Sequence, residues 1–267
     1  MDKEMTKKSV VIIGSGNVAT SFALTFKDKC EVLQIYSRTL ANAQALAKQV
    51  GCEATDNLQN LVLDADVYIV AVNDDAITSV ANAVHDNGSV WVHTSGSTPI
   101  NVFEGIRCKY GVIWPMQSLS KKHPADMSQV HFFVEGNDIE VRHDLKELAS
   151  LMSENVYEVN SSDRLKLHVA SVFACNFANH MFTLSSEVLD EAGIPFDAML
   201  PLIRTTVAKL DHMTPAESQT GPAARGDMKM IEKHLGLLEG DKRRIYKTLS
   251  QSIIERMPKT STFDKSV

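Results

Sequence analysis

The stretch SVVIIGSGNVATSFALTF, residues 9–26, constrains the fold more than any other part of the chain. Four β-branched residues run straight into Gly14-Ser15-Gly16-Asn17-Val18-Ala19, and an amphipathic helical pattern begins at once. Gly14 permits a tight strand-to-helix turn, Gly16 lets a bound group approach the backbone, and Ala19 allows close packing of helix on strand. The free N–H groups and positive dipole end of the new helix favour an anion above that turn. Glycines at such a turn can also be purely structural, so the surrounding pattern has to decide.

That pattern repeats. Residues 9–158 alternate short apolar runs (SVVII, EVLQIYS, DVYIVAV, SVWVH, GVIW) with helical stretches such as TLANAQALAKQV and DDAITSVANAVH. Strands that are apolar throughout suit a parallel sheet covered on both faces, and strand–helix repetition with short links is the form of a doubly wound α/β domain. HFFVEG, VRHDLKELASLM and VYEV extend the sheet at one edge. From residue 160 the grammar changes: NSSDR offers N-caps, a long helix is expected over 164–192, and GIP (193–195) stops it. FDAMLPLIRTTVAKLDHM, MKMIEKHLGLL and KRRIYKTLSQSIIERM then read as helices, followed by a loose polar tail, PKTSTFDKSV. The expected fold class is α/β: a Rossmann-like doubly wound parallel sheet over 1–158, followed by an all-helical C-terminal domain over 159–267.

Charge and composition trim the classes of partner. Lys and Arg total 27 against 33 Asp and Glu, a net charge of −6, and neither half carries the basic excess of a nucleic-acid or membrane-surface binder. The basic cluster Lys242, Arg243, Arg244 and Lys247 reads as a solvated helix face. No apolar run is long enough to span a bilayer, and the charged start MDKEMTKK has no signal core. The four cysteines, Cys30, Cys52, Cys108 and Cys175, show no metal-ligand spacing, so no metal is expected; they read as reduced, mostly buried thiols of a cytoplasmic protein.

In this context Gly14–Ala19 takes the G-x-G-x-x-A form of the dinucleotide fingerprint, with Gly14, Ser15, Gly16, Asn17, Val18 and Ala19 around the cofactor's pyrophosphate. At the end of the second strand, where NAD sites place an acidic residue, the chain has Ser37, Arg38 and Thr39. A carboxylate would repel a 2′-phosphate, whereas guanidinium and hydroxyls pair with it, which favours NADP; the alternative is a surface Arg with Thr39 as a helix N-cap. Val72, Asn73 and Asp74 end the next strand on the ribose or nicotinamide side, although Asp74 could simply cap a helix. His93, Thr94, Ser95 and Gly96 sit at the mouth of the following one, where Ser97 or Thr98 before Pro99 starts a helix with Pro at N1. His93 could equally be a core histidine.

The 164–192 helix is apolar around most of its circumference and is expected to be central and buried, so its polar residues need partners. Helical spacing puts His168, Cys175 and Asn179 on one stripe and Asn176, His180 and Thr183 on another. TGPAARGD (220–227) breaks regular structure, with Arg225 among small residues as an anion contact for substrate or cofactor, or as half of an Arg–Asp staple, and with Asp227 capping the next helix.

On IIGSGNVA, YSRT, HTSGS, PMQSLSK, VFACNF, EAGIP and TGPAARGD the chain resembles the Rossmann-like NADP oxidoreductases with an uncharacterised helical C-terminal domain, distant kin of pyrroline-5-carboxylate reductase, ketopantoate reductase and 6-phosphogluconate dehydrogenase. The resemblance implies a dinucleotide domain, an inter-domain active site and dimerisation through the helices, and it implies no substrate. Two roles do not carry over. Val172 stands where the β-hydroxyacid dehydrogenase branch has a catalytic Lys before an Asn, if Asn176 is that Asn. Trp114 stands where the nearer family often has His, leaving His93, His123 or His168 as proton donor.

The expected function is an NADP(H)-dependent oxidoreductase of a small carbonyl, imine or hydroxy acid. Ser95 would orient the substrate, His168 or His93 would serve as acid/base, and Asn176 would hydrogen-bond the reacting group. A dinucleotide sensor without chemistry is the rival, and a dehydratase or isomerase using the cofactor structurally is the third reading. The excess apolar surface of the C-terminal helices predicts a homodimer.

Overall fold

The computed structural model describes residues 7–257; most of the MDKEMTKK start and the whole PKTSTFDKSV tail lie outside the described residues. The chain divides into two compact units between Phe177 and Ala178.

The first unit is built on one eight-stranded sheet. In chain order its strands are β1 (Ser9–Ile13), β2 (Glu31–Tyr36), β3 (Glu53–Thr55), β4 (Val67–Val70), β5 (Val90–His93), β6 (Lys109–Pro115), β7 (Phe132–Gly136) and β8 (Val156–Glu158). Their spatial order is β3-β2-β1-β4-β5-β6-β7-β8. All neighbours run parallel except β6 and β7, which pair antiparallel with Trp114 opposite Phe133. The order reverses at β1, so the crevice between β1 and β4 is the switch point of the sheet, where ligands of open α/β folds sit. β3 has no counterpart among the expected strands, since EAT is too short and mixed to show a period.

The helices are α1 (Asn17–Phe26), α2 (Leu40–Val50), α3 (Ile77–Asn82), α4 (Ile139–Ser150) and α5 (Ser161–Ser171). Both faces of the sheet are covered, which is why β1 and β4 read as unbroken apolar runs. Val10 and Ile12 pack with Phe22 and Phe26 of α1, Leu46 of α2 and Leu145 of α4. Val11 and Ile13 face the opposite layer, with Ile77 and Val80 of α3 and Phe103. α5 covers the β6–β7 end, where Leu167 packs on Val112, Trp114 and Phe133. The helix expected after Pro99 is only a 3₁₀ turn, Ile100–Phe103, capped by Pro99 rather than opened by it. Pro99 is extended there (ψ 155°), so the turn begins one residue later.

The expected single helix over 164–192 is three segments: α5, a π-helical stretch Val172–Phe177, and α6 (Ala178–Glu191). Asn160 caps α5 by accepting from the Asp163 N–H (2.9 Å), and Gly193 ends α6 at φ 68° with Ile194 N–H bonded to the Leu189 carbonyl. A π-helix closes i→i+5 bonds, so the α-helical spacing that grouped His168 with Cys175 and Asn179 does not continue through it. Nor is this helix buried in the chain: only Arg164 is, while Leu165, Val169, Phe173 and Phe177 are exposed.

The second unit contains α6, α7 (Leu200–Ala208), α8 (Met228–Leu237) and α9 (Gly240–Arg256). Its buried apolar cluster is small: Ala223, Ile231 and Leu235, with Tyr246, Ile253 and Ile254 partly buried around them. α6, α8, α9 and the Thr220–Ala223 loop line an open, mostly apolar groove of about 790 Å³. Of the expected buried thiols only Cys30 is buried; Cys52 is half-buried, and Cys108 and Cys175 are exposed. Burial raises the Cys30 and Cys52 pKa values to about 11. Among the described residues no helix is long and apolar enough to cross a membrane.

Candidate dinucleotide site

β1 delivers its glycine turn to the carboxyl end of the sheet. Gly14 has φ 136° and donates its N–H to the Tyr36 carbonyl at the end of β2 (2.8 Å). A Cβ there would lie 2.2 Å from the Ala71 carbonyl oxygen beyond β4, so only glycine lets the turn pass between the two strands. Gly16 answers a different need: a Cβ built on it meets nothing within 4 Å, because it would project into a cleft of about 770 Å³. Gly16 is also the N-cap of α1 and brings no side chain to its first-turn N–H groups. The turn is thus an uncapped helix N-terminus under open space, the donor set a pyrophosphate takes.

Gly14, Ser15, Gly16, Asn17, Val18, Ser37, Arg38, Val72 and Asn73 all line this cleft. Ala19 does not: it is fully buried behind Gly14, which is the helix–strand packing role. Ser15 Oγ donates to Ser37 Oγ (2.8 Å), tying the turn to the end of β2. Arg38 is exposed at the rim and, among the described residues, makes no side-chain hydrogen bond or ion pair. Thr39 departs from its expected place in the pocket: it stands at the N-cap of α2, outside the lining, because the chain has already turned into the helix. Tyr36, Leu58, Ala71, Asp75, Ala76, Ser79, Val80 and Thr94 complete the wall. Most come from segments whose sequence carries no motif, so only the folded sheet assembles them.

The strand-end residues after β5 divide differently from expectation. His93 is fully buried, its Nδ1 accepts from the Ser95 N–H (3.2 Å), and its Nε2 has no hydrogen-bond partner. Burial, reinforced by the Arg164 charge, pushes its pKa down to about 3. A neutral, sealed imidazole cannot be the acid/base, so His93 takes the core alternative. Ser95 is likewise spent: its Oγ donates to Asp74 Oδ2 (2.8 Å) and accepts from the Ser97 and Thr98 N–H groups. It fastens the turn instead of orienting a substrate, and Thr94 is the residue of this segment that reaches the cleft. Burial opposes ionisation of Asp74, but hydrogen bonds from Ser97, Ser95 and Thr98 outweigh it and hold the carboxyl below its ordinary range.

His168, one turn from the end of α5, stands over this segment. A Cβ on Gly96 would lie 2.8 Å from His168 Cδ2 and 2.6 Å from Trp114 Cε2, and the two rings are 6.0 Å apart. α5 is pinned there by buried Arg164, which pairs with Glu135 on β7 and donates to the Thr98 carbonyl (2.6 Å). Gly96, His168 and Trp114 thus form one cluster at the carboxyl end of β5 and β6. Asn176 lies in the π-helical stretch, exposed and, among the described residues, without a side-chain hydrogen bond, and His123 is exposed on the loop after β6. Arg225 belongs to the second unit, is exposed and forms no staple with Asp227, which instead caps α8 by accepting from the Met230 N–H. Among the described residues His143, Asp144 and Glu147 could approach one cation, but they are surface groups of α4 and Lys8 already pairs with both carboxylates.

A parallel sheet with a glycine turn at its switch point, an uncapped helix above it and a cleft along the strand ends defines a Rossmann-like dinucleotide-binding protein. Comparison with known proteins is consistent. Residues 9–95 match the family described as NADP oxidoreductase, coenzyme F420-dependent, and residues 130–253 match a domain of unknown function, DUF2520. A Bacteroides fragilis crystal structure provisionally described as an NADP oxidoreductase is 40% identical, with TM-score 0.88, and the match covers 94% of this chain and 99% of that one. The chain belongs to the family of that Bacteroides fragilis protein, in which a domain matching the NADP oxidoreductase model is followed by a DUF2520 domain. A Thermotoga maritima protein is 25% identical (TM-score 0.72, 92% and 97% covered). The 1-pyrroline-5-carboxylate reductase of Streptococcus pyogenes, at 15% identity, shares the fold (TM-score 0.65, 92% and 96% covered). No curated protein matches the chain in sequence.

Proposed function

We propose that the chain is an NADP(H)-dependent oxidoreductase of a small carbonyl, imine or hydroxy acid, working in the cytoplasm where its free cysteines stay reduced. The observation that carries the cofactor reading is the uncapped α1 N-terminus under the Gly16 opening, with Arg38 exposed at the rim. Gly14–Val18 hold the pyrophosphate, Ser37 and Arg38 the 2′-phosphate, and Val72, Asn73 and Thr94 the wall towards the nicotinamide. The bound cofactor supplies the hydride. His168, beside Gly96 and Trp114, gives or takes the proton at the substrate heteroatom; among the expected histidine donors it is the one packed against the strand-end segment without being sealed from solvent. The kinship of fold with a reductase of a cyclic imine supports the substrate class.

Calorimetric titration tests the reading. NADPH is expected to bind about tenfold more tightly than NADH, because a hydrogen bond to a charged group at an exposed site gives roughly that factor. Arg38→Ala should remove most of the preference and leave NADH unchanged. Equal affinities in the wild type would return Arg38 to the surface.

The same reading includes a homodimer through the C-terminal helices. Its support is the amount of apolar surface one chain leaves open: Leu202 is 62% exposed and Leu237 72%. A second copy of the chain is the occupant that would cover it.

A further inference from the structure

Among the described residues the wall of the cleft contains one cation, Arg38, and it stands at the end of β2. Asp75, the carboxylate in the same wall, adds negative charge. A pyrophosphate over Gly14–Val18 would therefore meet N–H dipoles and no countercharge from the lining. An ammonium reaches the turn from a different element. After β6 the chain runs through MQSLSKKHPAD (116–126), anchored by Leu119, which is buried in the main core. Two residues on, Lys121 reaches the fingerprint: its backbone N–H donates to Asn17 Oδ1 (3.3 Å), and its Nζ donates to the Ser15 carbonyl. Both acceptors belong to residues lining the cleft, so the ammonium stands beside the glycine turn, although Lys121 is not itself part of the lining.

We propose that Lys121 is a phosphate ligand of the dinucleotide site, carried on a strap after β6 that is tethered to the glycine turn. The proposal rests on the dinucleotide reading and deepens it. A lysine ammonium has three donors; the Ser15 carbonyl takes one, leaving two and the full charge for phosphate oxygens. The tether through Asn17 fixes where the strap passes, so the cation is positioned before the nucleotide arrives and little side-chain freedom is lost on binding. Arg38 then selects between nucleotides, while Lys121 adds affinity common to both.

The test is calorimetry of the full chain with NADPH, NADH and adenosine 2′-monophosphate, which carries the 2′-phosphate but no pyrophosphate. Lys121→Met should weaken NADPH and NADH alike by about tenfold and leave adenosine 2′-monophosphate unchanged, as expected for a charge-assisted contact at an exposed site. Lys121→Arg should keep most of the affinity, and Lys122→Met, its exposed neighbour, should keep all of it. Unchanged dinucleotide binding in Lys121→Met overturns the proposal while leaving the dinucleotide reading standing, and so does an equal loss for adenosine 2′-monophosphate. A wild type that binds none of the three nucleotides overturns both.

Discussion

The sheet unit and the helical unit spend the same kinds of residue to different ends. In the first, β1 and α1 bury Val10, Ile12, Phe22 and Phe26 completely, and even its polar residues are enclosed: His93, Arg107 and Arg164 are each 5% exposed or less. In the second, α6 and α7 bury no residue at all, and Leu202 and Val207 of α7 and Leu237 of α8 stand in solvent. A sheet covered on both faces closes its own core; four helices of about 80 residues enclose too little volume to do so. The lesson is that electrostatic positioning belongs to the first unit, where a low dielectric makes each polar contact costly to lose, while the second unit leaves apolar faces open.

The largest test of that difference is Arg164→Ala. It leaves Glu135, itself 14% exposed, without its guanidinium and frees the Thr98 carbonyl, and breaking such a buried pair costs about 3–5 kcal/mol. Lys242→Met in the helical unit removes pairs to Glu187 and Glu191 at 3.3 and 3.0 Å, yet should leave stability nearly unchanged because both glutamates are exposed. Urea melts of the two variants decide it; comparable losses would erase the contrast.

A smaller effect comes from His93. Its folded pKa, about 3, lies below its unfolded value, so between the two the unfolded chain binds a proton that the folded chain does not. The stabilisation is present above the unfolded value of about 6.5 and lost as pH falls, by about 2 kcal/mol from pH 8 to 5. His93→Asn, which can still accept from the Ser95 N–H, should lose that component, giving a shallower stability curve over this window. Parallel curves would mean that His93 is not sealed.

The smallest energetic effect, and the sharpest for the second unit, is Leu237→Glu. An exposed position should change single-chain stability by no more than about 0.5 kcal/mol. Light scattering at low micromolar concentration should nevertheless show a dimer for the wild type and a monomer for the variant. A monomeric wild type removes the dimer.

Much of the fold was legible because it rests on local rules. Unbroken apolar runs announced a sheet covered on both faces, Gly14 and Gly16 announced the turn, and Asn160, Gly193 and Asp227 announced helix ends through capping chemistry. The site was legible where one segment makes it: Ser15, Asn17 and Val18 follow the fingerprint, and Ser37 and Arg38 follow the end of β2. It was illegible where atoms from distant segments compete for one group. Nothing in HTSGS tells whether Ser95 Oγ faces a substrate or Asp74, because that depends on how β4 and β5 come side by side. The π-helical stretch in VFACNF escaped for the opposite reason: a helical period read at 3.6 residues cannot register one extra residue in a turn.

The sequence by itself therefore determined the doubly wound sheet, the dinucleotide turn and the change to helices after residue 160, since each follows from hydrophobic period and backbone geometry within a few residues. Only the tertiary structure decided which polar groups are spent and which stay free. It sealed His93, bound Ser95 to Asp74, set His168 beside Gly96 and brought Lys121 to the Ser15 carbonyl across more than a hundred residues of chain. Hydrogen-bond partners and burial are properties of neighbours in space, and the order of residues along the chain does not contain them.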